Sequence, residues 1–376
     1  MRRPRILIAL LAASALTLAA CGGGDDAELL GGAGSDDTTE EDDADDDGGA
    51  ADGELSGSLD GAGATFPNPV YQDWAFDYVN DVQPGVTINY QSIGSGGGIE
   101  QFLLQQVDWG TSERYLRDED LEEARESRGC EALQWPVLFG AVEVAFGDDQ
   151  FDDLILTAEV IADIFERRIT NFNDPAIAEL NPDFDLPDLD IVPVHRSDGS
   201  GTTSVFTTYL EHTADNWTLG SGTEVQWPAD TVGGQGNEGV TAGVQQNPGG
   251  IGYVNQAYVI EQGLPSAQVV NADGNPVKAT LEATTEALEV LEVPDTFQFD
   301  ILDIGGGGYP IVGAVWNFTW ECGYEGNTAD LLKDYWTWAV SDQTAIDLAL
   351  ELGYAPLGEG LRARVLDEIE RTGSLN

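Results

Sequence analysis

Residues 194–206 read VHRSDGSGTTSVF, which sets one guanidinium (Arg196), a carboxylate two positions on (Asp198) and a run of small and hydroxylated residues (Ser200, Gly201, Thr202) at the head of a helix-like pattern. These groups suit an oxyanion. The first turn of a helix has unpaired backbone N–H groups and the positive end of the helix dipole, so an anion placed there gains several hydrogen bonds. Glycine lets the backbone come close, hydroxyls add donors, and an arginine fork matches two oxygens of a tetrahedral anion. Asp198 stands where it could hold that fork in place. The plainer alternative for the same two residues is a surface ion pair, which stabilises little.

Two further stretches share the design, GATFPNP at 63–69 and IGSGGGIEQF at 93–102. One glycine-serine turn is only a turn; three with an arginine point to a ligand class. Neither glycine run carries the lysine of a nucleotide-hydrolase phosphate loop, and the dinucleotide fingerprint is missing as well. Ser95 or Ser200 as a nucleophile would want a base, and His195 points away from Arg196 on a regular strand. With only His195 and His212 in the chain, a zinc site is not expected. No cofactor is called for.

Acidic residues number 68 against 15 lysines and arginines, for a formal net charge of −53. Such a chain is a poor partner for nucleic acid or an anionic membrane surface. At the N-terminus, Arg2, Arg3 and Arg5 precede an apolar run from Ile6 to Leu18, and Leu18-Ala19-Ala20-Cys21 resembles a lipobox. Residues 1–20 therefore read as an export leader, with Cys21 lipidated after cleavage. Residues 21–54 hold no basic residue and little that could build a core, which predicts a disordered, self-repelling tether. Cys130 and Cys322 remain; outside the cytosol a disulfide between them is expected, the alternative being two separate buried thiols.

The elements that must position the turns follow from pattern. Strands are expected over 57–66, VTINYQSIG, VDWGTS, LQWPVLFGAVEVAFG (crossing between lobes), IVPVHRS, GGIGYVNQAYVI and YPIVGAVWNFTW, with a hairpin in QVVNADGNPVKA. Helices are expected over PNPVYQDWAFDYVNDV, IEQFLLQQ after a break at SGGG, EDLEEARES, TAEVIADIFER with a threonine cap, TTSVFTTYLEHT, ADLLKDYWTWAV and SDQTAIDLALELG. Strands alternating with helices argue an α/β fold, and the length beyond residue 54 favours two lobes.

The segments GAGATFPNPVY, INYQSIGSGGGIEQF, VDWGTS, IFERRITNFNDPAIAELNP, VPVHRSDGSGTTSVFTTYL and GGIGYVNQAYV, in this order, resemble the phosphate-binding proteins of Pst-type ABC transporters. The resemblance runs from about residue 57 to the end. It implies a two-lobed periplasmic-binding-protein fold of type II, closing like a flytrap over inorganic phosphate, with residues 55–138 and 304–376 in lobe I and 139–303 in lobe II. Carried over by position, it implies that Thr65, Phe66, Ser95 and Asp108 bind phosphate from lobe I, and Arg196, Ser200, Gly201 and Thr202 from lobe II. Asp108 would accept the proton that phosphate carries and sulfate lacks, since an unprotonated anion would leave two like charges facing each other. The chain departs from the pattern at Trp109, where Phe is common, and at TSERYL, which replaces an acidic-proline continuation. The implied partners are an ABC permease and its ATPase, with a lipid anchor as the membrane contact and a monomeric receptor. A phosphatase-like enzyme and a phosphate-sensing surface lipoprotein are the competing readings; the first would need metal ligands or an activated nucleophile.

Overall fold

The computed structural model describes residues 55–289 and 291–375. The expected leader at 1–20, the lipidation site Cys21 and the tether at 21–54 lie outside the described residues. Along the chain the first elements are β1 (Ser56–Gly63), α1 (Asn68–Asp77), β2 (Gly85–Ser92), α2 (Ser95–Leu103), β3 (Trp109–Ser112), α3 (Asp118–Arg128), β4 (Ala132–Phe146), β5 (Ile155–Leu156), α4 (Ala158–Phe165), α5 (Pro175–Leu180), β6 (Val192–Arg196) and α6 (Gly201–Thr213). There follow β7 (Val232–Gly234), α7 (Gly236–Gln246), β8 (Gly250–Asn255), α8 (Gln256–Gln262), β9 (Gln268–Val270), β10 (Pro276–Lys278), α9 (Leu281–Leu288), β11 (Val312–Trp320), α10 (Thr328–Ser341), α11 (Gln343–Glu351), β12 (Ala355–Pro356) and α12 (Glu359–Glu370).

A sheet of nine strands runs in the order β2-β1-β3-β11-β4-β8-β6-β7, with β12 also on β4. All fifteen residues of β4 are buried, which explains why its sequence is apolar without alternation: both faces are covered. Its first part pairs with β11 from Ala132 to Ala141, and its last part pairs with β8 from Val142 to Phe146. This strand is thus shared by two halves. On one side lie β1, β2, β3 and β11, and on the other β6, β7 and β8, with the small sheet β10-β9-β5 beyond. The result is the two-lobed α/β fold expected.

Local sequence sets where each helix begins. In α4 the Thr157 hydroxyl accepts from Val160 N–H, and in α6 Ser200 does the same for Thr203 N–H, each relieving one unpaired donor of the first turn. Helix α1 buries Val70, Tyr71 and Trp74 and runs on as a π-helical turn through Val82. The glycines after Ser95 do not break the chain as expected; they form the first turn of α2. A Cβ on Gly98 would sit 2.8 Å from Thr111 O and 2.9 Å from Ala62 O, so glycine is what lets α2 lie directly on β1 and β3.

Three other expectations change. The segment after Asn255 is helix α8 rather than strand, started by the Asn255 side chain accepting from Ala257 N–H. Helix α7 forms in a glycine-containing segment with no helical signal, and the chain closes on a third helix, α12, after the two expected. Cys130 and Cys322 are joined as a disulfide with their Cα atoms 6.1 Å apart. The bridge sits beside the β4–β11 ladder, where Ala132 pairs with Trp320.

Candidate anion-binding site

In open α/β sheets a ligand sits beyond the carboxyl ends of the strands. Strands β1, β2 and β3 are parallel to one another, as are β6, β7 and β8. Immediately beyond their carboxyl ends come Thr65, Ser95, Glu113, Ser200 and Asn237, and these residues meet between the lobes. All five are under 5% exposed.

Arg196, the last residue of β6, is held by three hydrogen bonds to two side chains. Its Nε donates to Asp198 Oδ1 at 2.8 Å, its Nη2 to Asp198 Oδ2, and its backbone N–H to the Tyr253 hydroxyl at 3.1 Å. The Arg196 side chain is 1% exposed, so the ion pair is not the surface pair that local sequence allowed. Burial pushes Asp198 up, but the adjacent guanidinium outweighs it and leaves the carboxyl below its usual range. Gly236 N–H adds a bond to Asp198 Oδ1 at 3.0 Å. Arg196 Nη1 faces the Thr202 hydroxyl at 3.4 Å.

Thr202 is also the point where the lobes meet. Its hydroxyl donates to Glu113 Oε1 at 2.7 Å, while Ser95 Oγ donates to Glu113 Oε2 at 2.5 Å. Burial raises the Glu113 carboxyl above its usual range, against the two hydroxyl bonds and the Arg196 charge, which lower it. Gly201 opens α6 beside this carboxylate, and a Cβ there would collide with Glu113 Oε2 and Ser95 Oγ. The Ser200 hydroxyl caps α6 and its amide donates to Thr223 O at 2.9 Å. Asn237 Nδ2 donates to Thr65 Oγ1 at 2.8 Å and to Thr202 Oγ1 at 3.2 Å. Tyr258 holds the Thr65 carbonyl at 2.6 Å, and Tyr354 holds that of Phe66 at 2.5 Å.

Of the residues singled out in the sequence, Thr65, Ser95, Arg196, Asp198, Ser200, Gly201 and Thr202 gather here, with the Phe66 backbone beside Thr65. Asp108 does not. It precedes β3, so it stands at the amino end of that strand, where its Oδ2 accepts from Asp60 N–H at 2.8 Å. It lines a separate hollow with Asp60, Arg128 and Tyr324. The carboxylate that β3 brings to the cleft is Glu113, at the other end of the same strand. Its position was readable, since an acid following the last residue of a parallel strand lies at the ligand edge of the sheet. Asn237 gave no such signal, because α7 itself was not foreseen. Among the described residues no group of three or more His, Cys, Asp or Glu side chains is arranged to hold a metal.

Two lobes strung on a shared strand, with an anion cradle between them, are the plan of periplasmic binding proteins, and residues 48–343 match the family model for a PBP superfamily domain. The phosphate-binding protein PstS of Pasteurella multocida is 36% identical over 309 residues, covering 80% of this chain and 87% of that protein. PstS of Xylella fastidiosa, strain Temecula1, is 35% identical over 319 residues, covering 83% and 85%. The chain belongs to this superfamily and, within it, to the family whose members carry the name phosphate-binding protein PstS. A solved structure of a high affinity periplasmic phosphate-binding protein bound with phosphate superimposes with a TM-score of 0.69 at 20% identity, covering 82% of this chain and 93% of that one.

Proposed function

We propose that the protein binds inorganic phosphate outside the cytoplasmic membrane and hands it to an ABC permease for import. The observation that carries this reading is the convergence of a buried, Asp198-locked guanidinium, the hydroxyls of Thr65, Ser95 and Thr202 and the first turns of α2 and α6 on one point between two lobes. Such a point binds a small dehydrated oxyanion through dipoles and one fork. Glu113 supplies the selectivity first sought at Asp108. A buried carboxylate tolerates an anion that brings a proton to share and opposes one that does not, so phosphate enters and sulfate is refused.

Residues 55–138 with 304–376 form lobe I of this receptor and 139–303 form lobe II, working as a monomer. Leader removal after residue 20 and lipidation of Cys21 anchor it to the outer face of the membrane, with residues 21–54 as the tether; replacing Cys21 by alanine should release it from the membrane fraction. The Cys130–Cys322 disulfide supports an oxidising location. No helix among the described residues is long and apolar enough to cross a membrane.

Calorimetric titration of phosphate-stripped protein with phosphate and, separately, sulfate tests the reading. Heat from phosphate alone is expected. Equal binding of both anions, or of neither, would overturn it.

A further inference from the structure

Helix α7 meets Thr65 from across the cleft with two donors on one residue. Asn237 N–H, which the first turn of α7 leaves without a partner inside the helix, donates to Thr65 Oγ1 at 3.1 Å, and Asn237 Nδ2 donates to the same oxygen at 2.8 Å. Gly236, at a φ of 69°, lets the turn come this close, since a Cβ there would lie 3.3 Å from the Thr65 methyl carbon. The Asn237 amide has one possible orientation. Its oxygen accepts from Asn255 N–H at 3.0 Å, and a backbone N–H is a donor only. Asn255 is itself tied to the shared strand β4, its Nδ2 donating to Ala141 O at 3.3 Å, and both asparagines are fully buried. Asn237 therefore shows only hydrogens to the cleft, and its Nδ2 also reaches Thr202 Oγ1 at 3.2 Å.

A hydroxyl has two acceptor positions and one hydrogen to give. Asn237 fills both acceptor positions of Thr65, and among the described residues no acceptor takes the Thr65 hydrogen. We infer that Asn237 is a positioning residue that makes Thr65 an obligate donor to the bound oxyanion, and so leaves Glu113 to accept the proton that phosphate carries. The inference rests on the proposed phosphate site and adds to it the group that sets the sense of one of its hydrogen bonds. Thr65 and Asn237 face each other across the cleft, so their pairing is made as the lobes close over the ligand. Closure then does more than exclude water. It turns a hydroxyl that could serve either P–O⁻ or P–OH into one that serves P–O⁻ alone, and the anion is oriented with its protonated oxygen toward Glu113.

A double-mutant cycle on phosphate affinity separates this role from a structural one, because residues that act through one group lose their effects non-additively. Calorimetric titration of the full chain with phosphate compares the wild type, Thr65→Val, Asn237→Ala and the two changes together. Each single change is expected to weaken binding at least about tenfold, as losing or misdirecting a hydrogen bond to a charged ligand does, and the pair no more than about twofold beyond Thr65→Val alone. Thr65→Ser keeps a hydroxyl for Asn237 to direct, and in that background Asn237→Ala is expected to weaken binding about tenfold again. Should the alanine variant not fold, Asn237→Asp repeats the cycle, since its carboxylate still accepts from Asn255 N–H; the charge it adds repels the anion in both backgrounds and cancels. An Asn237 effect of the same size with and without the Thr65 hydroxyl, or none in the wild-type background, would overturn the inference while leaving the function standing. A wild type that binds no phosphate overturns the function, and with it any role at this site, so the two failures read differently.

Discussion

Arg196 commits Nε and Nη2 to Asp198, leaving Nη1 turned toward Thr202 and the cleft. A lysine keeps the charge but not the fork, so it cannot hold Asp198 and face a ligand at once. Arg196→Lys is expected to weaken phosphate binding by about 2–3 kcal/mol, the worth of a charged hydrogen bond plus lost alignment, measured by titration. Among the acids, position along a strand outweighs residue type. Asp108 and Glu113 are both acids beside β3, separated by only its four residues, yet they lie at opposite edges of the sheet. Strand direction, not the presence of a carboxylate, assigns the role. The motif VDWGTS drew attention to the first acid in the segment, and the residue that enters the cleft is the next one.

Helix α2 brings Ser95 to the cleft because Gly98 lets its backbone touch β1 and β3. Gly98→Ala puts a methyl group against main-chain atoms that have nowhere to go, and should cost about 1–3 kcal/mol of stability. A lowered melting temperature together with weaker phosphate binding is the expected pair of results, since Ser95 moves with the helix. Elements with strong local signals were legible in advance: the threonine-capped α4, the apolar run of β4, the β9–β10 hairpin and the helix α6. Those set by tertiary contact were not. Helix α8 has seven residues, too few for periodicity to separate it from the strand before it. Helix α7 contains glycines that each cost about 1 kcal/mol relative to alanine, and it is kept by packing, with Gly243 close against Val194 and Gly239 against Gly234. Its partners in space are invisible in a linear reading, and Asn237 was hidden with it.

At the scale of the molecule, stability and topology follow from groups far from the cleft. Glu143, on the shared strand β4, is buried beside Ser266, with the Lys278 ammonium and Asp152 carboxylate nearby and Tyr309 also facing it. Burial pushes its carboxyl up to about 7, against the Ser266 hydrogen bond and the Lys278 charge, with Asp152 adding to the rise. A carboxyl raised on folding stabilises the protein below its unfolded value near 4.5, and that contribution fades as pH climbs through 7. Between pH 5 and 8 the wild type should lose roughly 2–3 kcal/mol relative to Glu143→Gln, which denaturant melts at several pH values would show as a slope present in one protein and missing in the other. The disulfide has a different reach. Its cysteines lie 192 residues apart in sequence, so the second lobe, with the strands that lead into and out of it, is enclosed in one covalent ring. Pulled by its two ends, the chain would carry tension across the bridge and around that ring rather than through it. About 650 Å of contour would stay slack and folded under load until a reductant opened the bond, so that the lobe bearing Arg196 is mechanically insulated from any pull applied at the chain's two ends.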